Sequence, residues 1–113
     1  MPYEPVYERF EAIGPDGERQ TVEFKKAGFL AMGDQPEVYF FRVGNEDAIV
    51  GISGHSLRRF QHARRYLSRE EKIDLAGLLL KQRIEAGTPL VSEKLLIGDA
   101  ELARLAGELD LLS

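Results

Sequence analysis

The chain has no cysteine and no tryptophan among its 113 residues. Without cysteine there is no disulfide, no thiolate metal site and no thiol nucleophile. No apolar run approaches the ~18 residues of a membrane-spanning helix. The first residues, Met1-Pro2-Tyr3-Glu4, lack the basic and apolar regions of a signal peptide. A cytoplasmic protein without a membrane partner is therefore expected. Internal repeats and low-complexity tracts are also missing. Gly51-Ile52-Ser53-Gly54 precedes a helical pattern, but it lacks the spaced glycines or the Gly-Lys-Ser/Thr ending of a phosphate-binding loop. No cofactor is expected.

What is present suits one soluble domain with a real core. Hydrophobic residues make up 43% and charged residues 30% of the chain. The net charge of −4 is unevenly placed: residues 1–52 carry −5, residues 53–87 carry +4 and residues 88–113 carry −3. Either the acidic arms neutralise the basic middle, or that middle offers a face to an anionic partner.

The stretch from Ser53 to Gly87 reads as two consecutive helices. The first is expected from Ser53 or Gly54 to about Leu67, with Ser53 as its cap. Leu57, Phe60, Ala63 and Leu67 share one arc, and His55, Arg58, His62 and Arg65 share the opposite one. Arg64 projects within the apolar arc. Ser68 and Glu71 then form a capping box that opens the second helix. Ile73, Ala76, Gly77, Leu80 and Ile84 make its apolar stripe, widened by Leu75, Leu78 and Leu79. So wide a stripe predicts neighbours on more than one side. Gly77 costs about 1 kcal/mol against alanine in a helix, which close backbone approach would offset. Gly87 is placed to end the helix.

The first half of the chain alternates as strands do. Residues 6–13 predict a strand, Gly14-Pro15-Asp16-Gly17 a turn, and residues 20–24 a returning strand. Lys25 to Met32 reads either as an extension of that strand or as a short turn, and Gly33-Asp34-Gln35-Pro36 as a loop. Glu37 to Val43 has bulk on both faces and predicts an interior strand. Gly44-Asn45-Glu46-Asp47 turns the chain, and Ala48 to Ile52 runs back. Gly51 marks a bulge or close packing. Near the C-terminus, Glu93 to Ile97 predicts a short strand and Asp99 the cap of a short helix carrying Leu102, Leu105, Ala106 and Leu109. The tail with Leu109, Leu111 and Leu112 is apolar enough to dock on the core or on another subunit. The sum is an α+β domain: an antiparallel sheet of about four strands, in two hairpins, packed against two or three C-terminal helices.

From Glu46 to Leu102 the chain resembles a family of small uncharacterised bacterial proteins, domain of unknown function 1488. The resemblance rests on Ile52-Ser53-Gly54-His55-Ser56-Leu57 with Phe60, on Arg83-Ile84-Glu85-Ala86-Gly87, and on Lys94-Leu95-Leu96-Ile97 followed by Asp99. It implies a small α+β domain and brings no activity and no catalytic residue.

The chemistry legible in the residues is sparse. His55 and His62 lie ~10.5 Å apart along a straight helix and cannot share a metal ion there. Ser53 and Ser56 lack the surroundings of an activated nucleophile. No catalytic residue and no metal site is expected. A small enzyme with a site near His55 or His62 is the least favoured reading. The residues singled out for binding are His55, Arg58, Arg59, His62, Arg65 and Tyr66. The leading expectation is a non-enzymatic binding or accessory protein that contacts another protein or itself, since arginine and tyrosine are favoured in interfaces. The alternative is a nucleic-acid-binding regulator that uses the face from Arg58 to Arg65 for phosphates, against which stands a pI near 5.2.

Overall fold

The computed structural model describes residues 5–29, 36–88 and 95–111, with Phe29 in backbone only. In chain order the elements are β1 (Arg9–Ile13), β2 (Arg19–Phe29), β3 (Glu37–Val43), β4 (Glu46–Ile52), α1 (Gly54–Ala63), α2 (Arg69–Glu85), β5 (Leu95–Ile97) and α3 (Asp99–Glu108). The sheet runs β1-β2-β3-β4-β5. The fold is α+β, with its helices C-terminal to the first four strands.

Both expected hairpins form. Gly17 closes the first turn at φ +83° and Gly44 the second at φ +61°, conformations that a side chain resists. The second strand is longer than residues 20–24. A register shift between Phe24 and Lys26 lets it bend and continue to Phe29, which selects the strand reading for the start of the Lys25–Met32 stretch. Residues 30–32 of that stretch and 33–35 of the following loop lie outside the described residues, as do 89–94 and Leu112.

Two sheet expectations are corrected. The sheet is mixed rather than antiparallel and has five strands rather than about four. Val50, Gly51 and Ile52 of β4 pair in parallel with Leu95, Leu96 and Ile97. A parallel neighbour needs a long crossover, and here α1 and α2 supply it. The first strand begins at Arg9 rather than at residue 6. The amides of Val6 and Tyr7 turn instead to the Asp74 carboxylate on α2, at 2.7–3.0 Å.

The core lies between one face of the sheet and the helices. Val22, Phe41, Val50 and Ile52 come from the strands, Leu57 and Phe60 from α1, and Leu102 and Leu105 from α3. Residues 73–80 of α2 are buried all round. The sheet takes one side, α3 a second, and residues 6–7 a third. Gly77 is the contact with that third side. A Cβ there would stand 2.4 Å from the Tyr7 carbonyl oxygen, so only glycine admits the strap. Leu111 is buried in the same core, so the tail docks as one of its two expected alternatives required.

The helix ends follow local rules. The Ser68–Glu71 capping box is complete. Gly87, at φ +73°, ends α2 in a Schellman motif: its amide reaches Ile84 O and the Thr88 amide reaches Arg83 O. Ser53 caps α1 by accepting from the Ser56 amide. Two boundaries differ from expectation. The first helix stops at Ala63 instead of Leu67, because Ser68 must be extended to cap α2. Leu67 is still fully buried, and its amide is taken by the Gln61 side chain. The cap of α3 is Gly98 without a side-chain bond, not Asp99. Asp99 lies inside the first turn, and its carboxylate is turned to Arg59.

Candidate functional site

The basic helix of the sequence is divided by the fold. His55 and Arg58 lie on the exposed side of α1, with the Arg58 guanidinium 3.0 Å from His55 Nδ1. Arg59 grips Asp99 through Nε and Nη2 at 2.8–3.1 Å, tying α1 to the start of α3. The Arg59 bonds, and then the Ser56 hydroxyl, hold the Asp99 carboxyl below its usual range. Arg65 leaves the helix altogether. Its Nη2 lies 2.8 Å from Glu71 Oε2, on a carboxylate only 5% exposed, while Oε1 of the same group accepts from the Ser68 amide. Two of the six singled-out residues are therefore structural ties. His62 and Arg64 are exposed on the surface, and Arg64 meets no acid among the described residues. Tyr66 is 74% exposed.

Tyr66 leads to a polar cluster that sequence reading did not assemble. The Lys72 ammonium lies 6.0 Å over the Tyr66 ring and 3.0 Å from Glu37 Oε1. The Tyr39 hydroxyl donates to that same oxygen at 2.8 Å. Burial, and then the Glu37 charge, push the Tyr39 phenol far above its usual value, so it stays protonated. Arg69 lies 5.5 Å over the Phe24 ring. These groups line a cavity of about 370 Å³ with Ala27 and Gly28. Glu37 satisfies both Tyr39 and Lys72, so the cluster is a closed ion pair joining β3 to α2. A second cavity of about 190 Å³ lies between α1 and α3, lined by Ser56, Arg59, Phe60, Arg64 and Asp99. Neither cavity gathers His55 or His62 among its lining residues. No cluster of three or more metal-ligating side chains occurs among the described residues.

The other large feature is the outer face of the sheet, which none of the three helices covers. Alternation places there three rows that cross three or more strands. The first is Arg9, Glu23, Arg42 and Asp47, in register across β1 to β4. Its signs alternate. Arg9 Nε is 3.6 Å from Glu23 Oε2, and Arg42 Nε is 3.2 Å from Asp47 Oδ1. Lys25 also bonds Glu23, and with Arg9 it holds the Glu23 carboxyl below its usual range. The second row is Lys26, Phe40 and Ile49, with the Lys26 ammonium 5.1 Å over the Phe40 ring. The third is Gly28, Val38, Gly51 and Leu96, of which Val38 is already buried within the chain, at 2% exposure. Gly51 is the expected close contact, since a Cβ there would meet Leu96 Cδ1 at 3.3 Å and Pro36 Cβ at 3.4 Å. Leu96 is 58% exposed.

The sequence named no residue of this face as a site, although its signals were there. Phe40 and Ile49 alternate with core residues, and the charges of β1 to β4 fall into one row once the register is known. Asp74, buried with its carboxylate on two backbone amides, was also missed. It is the one charge in the apolar run from Ile73 to Leu80. No helix among the described residues is long and apolar enough to cross a membrane. No family model, curated protein or solved structure matches this chain.

Proposed function

We propose that this protein is a non-enzymatic, cytoplasmic binding or accessory module that acts through protein–protein contact, using the outer face of its sheet. One observation carries the reading: the helices cover a single face, and the other presents Phe40, Ile49 and Leu96 beside an ordered row of charges. Apolar side chains with an aromatic and arginines, rimmed by polar groups, are the composition of a contact surface. The Tyr39–Glu37–Lys72 cluster is satisfied within the fold, as a structural tie between β3 and α2 would be. The test is a photo-crosslinking amino acid placed in living cells at position 40, on the outer face, or at position 104, on exposed α3. Adducts from position 40 alone are the expected result. Adducts from position 104 alone, or none from either, would overturn the reading.

A second reading, nucleic-acid binding, is favoured by the exposed Tyr66 beside Arg64. A largely exposed ring next to an exposed arginine suits a single strand. Arg65 is unsuitable for testing it, being tied to Glu71. Binding to labelled single-stranded RNA that weakens with salt and is lost in Arg58→Glu/Arg64→Glu would support this reading. No binding at low salt would end it.

A further inference from the structure

We propose that the occupant of the outer sheet face is a second copy of this chain, stacked face to face about a two-fold axis that runs along the strands between β2 and β3. This rests on the protein-contact reading above and names its partner.

The order of signs in the first row points to this partner. From β1 to β4 it reads positive, negative, positive, negative: Arg9, Glu23, Arg42, Asp47. A two-fold axis along the strands reverses the order of columns and keeps each row opposite its own copy. An alternating row with an even number of members then meets its opposite at every position. Arg9 faces Asp47 of the second copy, Glu23 faces Arg42, and the same pairs recur in reverse. The second row obeys the same operation. Lys26 on β2 faces Phe40 on β3 of the copy, which repeats across the interface a cation–ring contact already made within each chain. The third row takes no part, because Val38 is only 2% exposed and Pro36 lies against Gly51. A two-fold axis laid across the strands instead would set the charged row against the apolar one. Of the two axes only the first matches the charged row with its opposite, and an isologous contact of this kind closes as a dimer.

The size of the face sets the strength. Four overlapping strands at ~4.8 Å spacing, about 20 Å long, give roughly 400 Å² of projected surface per copy. That is about half of the ~800 Å² per partner of a standard stable complex. The pair is therefore weak and reversible, with dissociation in the micromolar to submillimolar range, and its two sheets cross at about −30° as twisted sheets do.

Sedimentation equilibrium over about 5 µM to 1 mM tests this with Glu23→Arg, Arg42→Glu and their equimolar mixture. Each variant alone sets like charges opposite one another at two symmetric places. The expected result is a dimerising wild type, at least tenfold weaker self-association of each variant, and recovery in the mixture. In the mixed dimer the arginine introduced at position 23 of one chain meets the glutamate introduced at position 42 of the other. The native Arg42 and Glu23 meet at the symmetric place, so recovery cannot come from misfolded chains. Circular dichroism melting checks the fold, and Phe40→Ser supplies a second disruption without a charge change. A wild type that is monomeric throughout overturns the inference. So does a dimer that survives all three substitutions, or variants that fold, separate and are not rescued by mixing. A monomeric wild type whose position-40 crosslinks reach a different protein leaves the contact reading standing. Absence of any crosslink removes both.

Discussion

Phe40 and Phe41 are neighbours on β3 and lie on opposite sides of the sheet. Phe41 is 1% exposed and packs edge-on against Phe24, inside the core that three helices close. Phe40 is half-buried, with a lysine over its ring and isoleucine beside it. The same strands thus present one face whose composition is set by burial and another whose composition is set by pairing along rows. The inner face is where stability resides. Away from the buried Val38 and the tightly packed Gly51, the outer face is where substitution can change association with little effect on the fold.

The contrast is sharpest in the stability of paired variants, measured by urea unfolding. Phe41→Ala should cost about 3–5 kcal/mol, the range for truncating a buried ring. Asp74→Ala comes next, at about 2–4 kcal/mol, because two backbone amides lose a carboxylate. Its signature is local: fast hydrogen exchange at Val6 and Tyr7 while the middle of α2 stays protected. Gly77→Ala should lose about 1–3 kcal/mol through the clash with Tyr7, although alanine is the better helix former. Phe40→Ala should cost only about 1 kcal/mol or less, the loss of an exposed cation–ring contact and a partly covered ring. If Phe40→Ala costs as much as Phe41→Ala, the distinction between the two faces fails.

The smallest effect concerns acid. Asp99 has its carboxyl lowered from 3.8 in the folded chain by Arg59 and Ser56. A depressed carboxyl contributes stability that is complete above its unfolded value and fades as the pH falls through the folded one. The contribution is therefore present at neutral pH and is lost below about pH 4. Asp99→Asn should flatten this part of the stability–pH curve, and an NMR titration of the Asp99 carboxyl should show the lowered midpoint directly.

Much of this architecture was legible where the signal is local. Ser68 and Glu71 announce their cap by spacing, Gly17 and Gly44 by the turns they permit, and Gly77 by its place in an apolar stripe. The long-range features were not legible. Three residues, Leu95 to Ile97, carry too little pattern to specify a parallel partner some 45 positions earlier. Leu67 shows why periodicity overruns the end of the first helix. Periodicity reports burial, and Leu67 is buried, but its backbone has already turned toward the next cap. For the candidate surface, Arg59 and Arg65 had the composition of a binding face. Their acids, Asp99 and Glu71, become visible only once α1, α2 and α3 are packed. The alternating row on the outer face is likewise invisible until the register aligns four strands.

The Asp74–Val6 contact spans 68 positions of chain. A chain made from its N-terminus at roughly 5–20 residues per second therefore exposes its first strand for about 3–14 s before the carboxylate that straps it down is made. During that interval the edge of the growing sheet is open, with Phe10 uncovered and the β1 hydrogen-bonding groups free to meet another chain. Arg9 and Glu11 put charge on that edge strand, the kind of residue that discourages pairing with another chain.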